Sequence, residues 1–234
     1  MYKHLRSDVF ATWVDRELIV LDVANDSYIV YSEVESKLIA TVCGASAAPL
    51  QTEMNLDAAR NLPIFKIGTY SLPDVRLRKL SGEAHGASLN CWRLRQGDIR
   101  LSCNPILLLR VFLILSRVHR CSRENRMIGL IRMMRESRNF YCGKYRRALT
   151  PIDGLVVVLN LACLIFSRRT KCLEWACTLV LIGHRCGYDL DLVIGVQNRP
   201  FLAHAWVELG GEIVGDDPDR RIQFSPIFDA SNDG

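Results

Sequence analysis

Apolar positions recur at two periods along this chain, and the change of period marks out its elements. Asp8 to Val14 (DVFATWV) and Glu17 to Val23 (ELIVLDV) carry the Val, Ile, Phe and Trp content of strands. Asp15-Arg16 and Ala24-Asn25-Asp26 supply polar turns beside them. A third strand is predicted over Ser27 to Tyr31 (SYIVY). Val34, Leu38 and Ile39 then fall at helical spacing, with Ser32 as N-cap and Glu35 completing a capping box. Helical potential returns over Leu56 to Leu62 and stops at Pro63, whose ring and missing N–H do not fit a helix interior. Three strands followed by helices predict a small winged-helix-like module.

From Thr69 to Gly97 no period dominates, and Pro73, Gly82, Gly86 and Gly97 punctuate a stretch that reads as linker. Helices are predicted over Ile106 to His119 and Met127 to Met134. Thr150-Pro151-Ile152-Asp153 marks a further helix start, with Thr as cap and Pro at the first helical position. Its apolar residues, among them Leu155, Val158, Leu161 and Leu164, continue to about Phe166. After the basic break Ser167-Arg168-Arg169, another helix runs from Lys171 to about His184. Leu190 to Gln197 reads as a strand, and Phe201 to Glu208 with Glu212 to Gly215 as a hairpin about Gly210-Gly211. The fold class is α+β. The expected division is an N-terminal module over 1–80, a linker and helical region over 81–125, and a C-terminal domain over 126–234.

Composition narrows the function classes. With 234 residues, 49% of them hydrophobic, and a net charge of +5, the chain can bury a real core but lacks the dense basic stripe of a dedicated nucleic-acid binder. The helix over Val34 to Ala40 sets Glu35 against a single Lys37, which is poor for DNA, so no nucleic-acid partner is expected. Nine cysteines, an odd number without a CxxC, together with an N-terminal stretch lacking an apolar segment, point to free thiols in a reducing cytoplasm. Cys43, Cys91, Cys103, Cys121, Cys142, Cys163, Cys177 and Cys186 read as small core residues. His4, His85, His119, His184 and His204 are scattered, so no metal site is expected. Ile106 to Ser116 (ILLLRVFLILS) is interrupted by Arg110 and falls short of the roughly 20 apolar residues a spanning helix needs. A buried helix is expected there; attachment to a membrane surface through Arg117, His119 and Arg120 is the minority reading.

The remaining chemistry lies between Thr170 and Pro218. Cys172 stands at a helix start, with Thr170 as candidate cap. Unpaired N–H groups and partial positive charge there stabilise a thiolate and an oxyanion, and Arg168, Arg169 and Lys171 push the same way. His204 is a candidate base that takes the thiol proton and later protonates the leaving amine. A carboxylate past the hairpin turn would hold the imidazole in its productive tautomer. With a two-residue Gly210-Gly211 turn Asp217 faces His204; with a three-residue loop Asp216 does, and periodicity alone does not choose. Taken singly, each of these residues is an ordinary core or loop residue; their order and the position of the thiol single them out.

A resemblance adds to this. The strand LVIGV, Arg199-Pro200-Phe201, His204-Ala205-Trp206-Val207-Glu208, Gly210-Gly211 and a following acid, with Lys171-Cys172-Leu173 upstream, resemble the C-terminal part of the lasso-peptide B proteins, leader peptidases of the transglutaminase-like cysteine protease superfamily. The resemblance implies a transglutaminase/papain-like domain with Cys172 as nucleophile, His204 as base and Asp216, favoured over Asp217, as orienting acid. Glu17 to Ile39 resembles the precursor-recognition element fused to full-length B proteins, which takes a leader peptide as an added strand; Tyr28, Val30 and Tyr31 would bind it. What the resemblance implies is removal of the leader from a lasso precursor before an asparagine-synthetase-like lasso cyclase closes a macrolactam. ATP dependence is implied as well, although no GxxxxGK[ST] loop is present and no cofactor site is expected from a motif. The alternatives are an amide-forming acyltransferase with the same triad, and a non-catalytic peptide-binding protein.

Overall fold

The computed structural model describes residues 5–43, 62–65, 77–78, 104–141 and 150–230. Strands β1 (Val9–Val14), β2 (Glu17–Asp22) and β3 (Ser27–Tyr31) form an antiparallel meander. A short β4 (Leu77–Arg78) lies parallel to β1, giving the order β3-β2-β1-β4 with β3 at an edge. Asp15 and Arg16, at φ 48° and 68°, close the first hairpin in two residues, the turn twist that flanking strands favour. Helix α1 (Glu33–Val42) opens with the expected capping box: Glu35 accepts from the Ser32 N–H at 2.9 Å, and Ser32 Oγ accepts from the Glu35 N–H at 3.5 Å.

Strand β2 is buried on both faces. Leu18 and Val20 join Val9, Ala11, Tyr31, Leu38 and Ile39 in a small core under α1. Ile19 and Leu21 point the other way into the main core, with Val14 and Val23. The N-terminal sheet is therefore docked on the rest of the molecule, and Phe10 meets Phe228 edge-to-face across the junction at 5.0 Å.

The larger unit holds α2 (Pro105–Glu124), α3 (Arg126–Tyr141), α4 (Ile152–Ile165) and α5 (Cys172–Arg185). Its antiparallel sheet has the order β7-β6-β5-β8, from β5 (Leu190–Gln197), β6 (Leu202–Leu209), β7 (Glu212–Val214) and β8 (Ser225–Asp229), with the single turn α6 (Arg220–Gln223) before β8. Every residue from Glu174 to His184 is buried, as a helix apolar on all sides must be. Helices α2, α3 and α4 and strands β5 and β6 all pack against α5.

Several sequence expectations shift here. The helix expected over Ile106 to His119 is present as α2, and its Val111, Ile114, Leu115 and Val118 share the main core. Within the apolar run only Val111, Ile114 and Leu115 are buried, while Ile106, Leu109 and Leu113 stay exposed on the opposite face. Among the described residues no helix is long and apolar enough to cross a membrane. Pro151, not Thr150, is the N-cap of α4: its extended ψ of 155° delays the helix by one residue, and the Thr150 carbonyl accepts from the Tyr188 hydroxyl at 3.0 Å. Strand β8 escaped the sequence reading because Pro226 interrupts its strand signal; proline is tolerated there because β8 is an edge strand. Most of the predicted helix at Leu56 to Leu62 and of the linker from Thr69 to Gly97, with Cys91, Cys103, Cys142, His4 and His85, lies outside the described residues. Cys43, Cys121, Cys163, Cys172, Cys177 and Cys186 are free thiols.

Candidate active site

Cys172 is the first residue of α5. The cap is Lys171 rather than Thr170, and the buried carboxylate of Glu174 accepts the Lys171 N–H at 3.1 Å. Glu174 also meets His119 Nδ1 of α2 at 3.1 Å, which ties the helix start to its neighbour. The helix thus presents its first free N–H groups beside the thiol. Burial alone would push the Cys172 thiol up. Its hydrogen bond to His204, the charge of that imidazole and the N–H groups of Ala205 and Leu173 outweigh burial and hold it below its ordinary value.

His204 lies on β6, opposite Gly195 of β5, and is itself buried. Its Nε2 is 2.6 Å from Asp216 Oδ2, which leaves Nδ1 for the thiol. Burial pulls the imidazole down, yet hydrogen bonds to Asp216 and Cys172 and the charges of both raise it to about 9. The ring lies at 5.6 Å from Phe224 and at 6.3 Å from Trp206, nearly parallel to the indole. Trp206 in turn donates from Nε1 to Glu208 at 2.8 Å, and Arg221 clamps that carboxylate at 2.7 and 2.6 Å. This chain of contacts fixes the plane of the base.

Asp216 is opposed by burial, but donors from His204, Arg220 and the Asp217 N–H hold its carboxylate below the usual range. Arg220, itself buried, contacts Oδ1 through Nε at 2.9 Å and Nη2 at 2.8 Å. Asp217 turns away and accepts from the Asp219 N–H at 3.0 Å and from Gln223 at 3.1 Å. The hairpin does have the two-residue turn, with Leu209 opposite Glu212. Simple alternation would then have put Asp217 against His204. Strand β7 ends at Val214, however, and Gly215 at φ +71° swings the chain so that Asp216 arrives instead. A Cβ on Gly215 would also meet the Trp175 ring at 2.8 Å, so the position excludes larger residues on two counts.

The structure therefore brings together Cys172, His204 and Asp216, and sets Asp217 aside. Among the three residues singled out for leader binding, Tyr31 is buried under α1, Val30 is 42% exposed, and Tyr28 faces the larger unit, where its ring meets Phe201. The sequence reading missed Arg220, Glu174 with His119, and the Trp206–Glu208–Arg221 chain. Only Arg220 left a usable signal, four residues beyond Asp216. Among the described residues no group of three or more His, Cys, Asp or Glu side chains could hold a metal ion.

The arrangement sets an expected pH dependence. A thiol held below its ordinary value carries more thiolate at pH 7 than the few per cent of a free cysteine. Its charge appears at lower pH, so iodoacetamide should alkylate Cys172 severalfold faster at pH 7 than an exposed ordinary thiol. Removing the imidazole in His204→Ala should return the half-rate point toward the ordinary cysteine range. Steps that need the imidazolium proton should fade as pH rises through about 9. Mass mapping of the alkylated peptide across pH reads the first two effects directly, and an unshifted Cys172 profile would contradict them.

Residues 115–229 match the family model of the Transglutaminase-like superfamily, a span that holds every element bearing the three residues. That match, with the relative that follows, supports an enzyme of the cysteine-protease-like kind. Over 216 residues, 90% of this chain and 93% of the relative, the chain is 26% identical to the Microcin J25-processing protein McjB of Escherichia coli. Together the two matches bear out the resemblance to the lasso peptide biosynthesis B proteins read from the sequence. No solved structure matches it.

Proposed function

We propose that this protein acts in lasso peptide processing as a cysteine peptidase that removes the leader from the precursor. The observation that carries the reading is the hydrogen-bonded line from Cys172 through His204 to Asp216 at the start of a buried helix. The Cys172 thiolate attacks the scissile carbonyl carbon, and the oxyanion forms beside the N–H groups of the first turn of α5. The His204 imidazolium gives its proton to the leaving nitrogen, which departs as the free α-amine of the core, with the leader held as a thioester on Cys172. His204 then takes a proton from water; hydroxide displaces the thiolate and frees the leader carboxylate. Asp216 holds the ring throughout and stays ionised.

The N-terminal sheet supports capture of an extended peptide, because β3 is an edge strand among the described residues. Main-chain pairing along such an edge gives affinity with little demand on side chains. The ATP dependence that the resemblance implies has no fitting cradle in this chain's described residues. The glycines at positive φ, Gly187, Gly210, Gly211 and Gly215, lie in turns that lead into strands or to Asp216, and none opens a helix onto a phosphate site. In this reading the nucleotide requirement is assigned to the partner, an asparagine-synthetase-like lasso cyclase, and acts through the complex.

The same triad in an amide-forming acyltransferase differs only in what resolves the thioester. Product masses decide between them. The protein is incubated with a candidate precursor, the cyclase and ATP. A leader fragment ending in a carboxylate, its mass including one water, is expected; a leader joined to an amine would move the assignment to acyl transfer.

A further inference from the structure

We propose that Tyr28 of β3 and Phe201, the residue before β6, form one aromatic wall of the cleft at Cys172 and hold an apolar substrate side chain beside the bond under attack. The proposal rests on the peptidase reading above and adds to it a specificity element supplied by both units. The two rings stand with centroids 5.5 Å apart, tilted by 59°. Phe201 keeps 42% of its surface exposed in spite of this partner, so the pair is an open aromatic face and not a closed core contact. Phe201 immediately precedes β6. It stands four residues before Ala205, whose N–H reaches the Cys172 sulfur. Tyr28 and Cys172 both pack against the main core.

The wall is also held in place. Glu17 of β2 accepts from the side chains of Asn198 and Arg199, the latter at 3.1 Å to each oxygen. Gln197 Nε2 donates to the Pro200 carbonyl at 3.1 Å. The loop that carries Phe201 is thus tied to the sheet that carries Tyr28, and it runs straight into the strand of His204. Burial first, and then the charge of the Cys172 thiolate, raise the Tyr28 phenol far above its ordinary range. The ring remains neutral, and a neutral aromatic face beside a reactive thiol favours apolar side chains over charged ones. One five-residue strand then bears both the capture edge and part of the cleft.

The test uses the full chain and three probes: iodoacetamide and two chloromethyl ketones, one made from acetyl-glycine and one from acetyl-phenylalanine. Alkylation of Cys172 is followed by the mass of its tryptic peptide. The phenylalanyl ketone is expected to react about tenfold faster than the glycyl one, the order of gain from partly burying a phenyl ring. Dividing by the glycyl rate removes any change in the thiol itself. Tyr28→Ala and Phe201→Ala should each cut this ratio about fivefold, and Tyr28→Phe should keep it. If Tyr28→Ala does not fold, Phe201→Ala, at an exposed position, decides the matter alone. A native ratio near one, or a ratio unmoved by Phe201→Ala, would overturn the proposal. Loss of the iodoacetamide preference for Cys172 in the native chain would instead overturn the peptidase reading, so the two failures are separable.

Discussion

Cys172→Ala is expected to abolish leader cleavage, with turnover down by about 10⁴-fold or more, while binding of the precursor survives. The magnitude follows from removing the nucleophile of a concerted unit, which in comparable sites costs most of the catalytic advantage at once. Structure should be little affected. The thiol is only partly buried, it opens α5 rather than filling the middle of it, and alanine is a good residue at a helix start. Cleavage assayed by mass spectrometry, with precursor binding measured on the same preparation, separates the two effects. Unchanged cleavage would remove Cys172 from the mechanism, and loss of binding as well as cleavage would point to misfolding.

Asp216→Ala should be the second large effect, and it should act on two quantities. Turnover is expected to fall by about 10³–10⁴-fold, because the imidazole loses the acceptor that sets its tautomer. Stability is expected to fall by about 3–5 kcal/mol, because the buried guanidinium of Arg220 loses the carboxylate it faces. Asp216→Asn should recover much of the orientation but not the charge. His204 would then lose the ionic support that raises it to about 9, and the alkaline limb of the pH profile would move to lower pH. Thermal melts and pH–rate profiles of the two variants check this. Equal profiles for Asp216→Asn and the native chain would mean that the charge of Asp216 has no part in holding the proton on His204.

Much of this site could be read from residue order, and the parts that could not have definite physical causes. Cys172 was legible because a basic break precedes an unbroken apolar helix, which fixes the helix start within a residue. His204 was legible because it lies in a strand of otherwise apolar alternation. The choice between Asp216 and Asp217 was not, since strand alternation holds only as far as β7 continues, and Gly215 ends it. The supports of the base were hidden for a different reason. Arg220 and Arg221 sit in a four-residue turn too short to give a period, and their carboxylate partners come from other elements.

The N-terminal module shows the same division. Its meander and the Ser32–Glu35 cap follow local rules and appear as expected. Which face of β3 does what is a tertiary matter: Tyr31 turns to α1, and Tyr28 turns to the larger unit. Helix α2 was placed at the right position from its apolar run, but its membership in the main core depends on α4 and α5, which lie far along the chain.

The central claim is that a precursor peptide acylates Cys172. Its most direct test is the intact mass of the protein after rapid acid quenching of a reaction with precursor, cyclase and ATP. The account expects an adduct equal to the leader fragment as a thioester, mapped to the peptide holding Cys172, lost on hydroxylamine treatment and absent from Cys172→Ala. Leader cleavage that proceeds without this adduct, and equally well in Cys172→Ala, would contradict it.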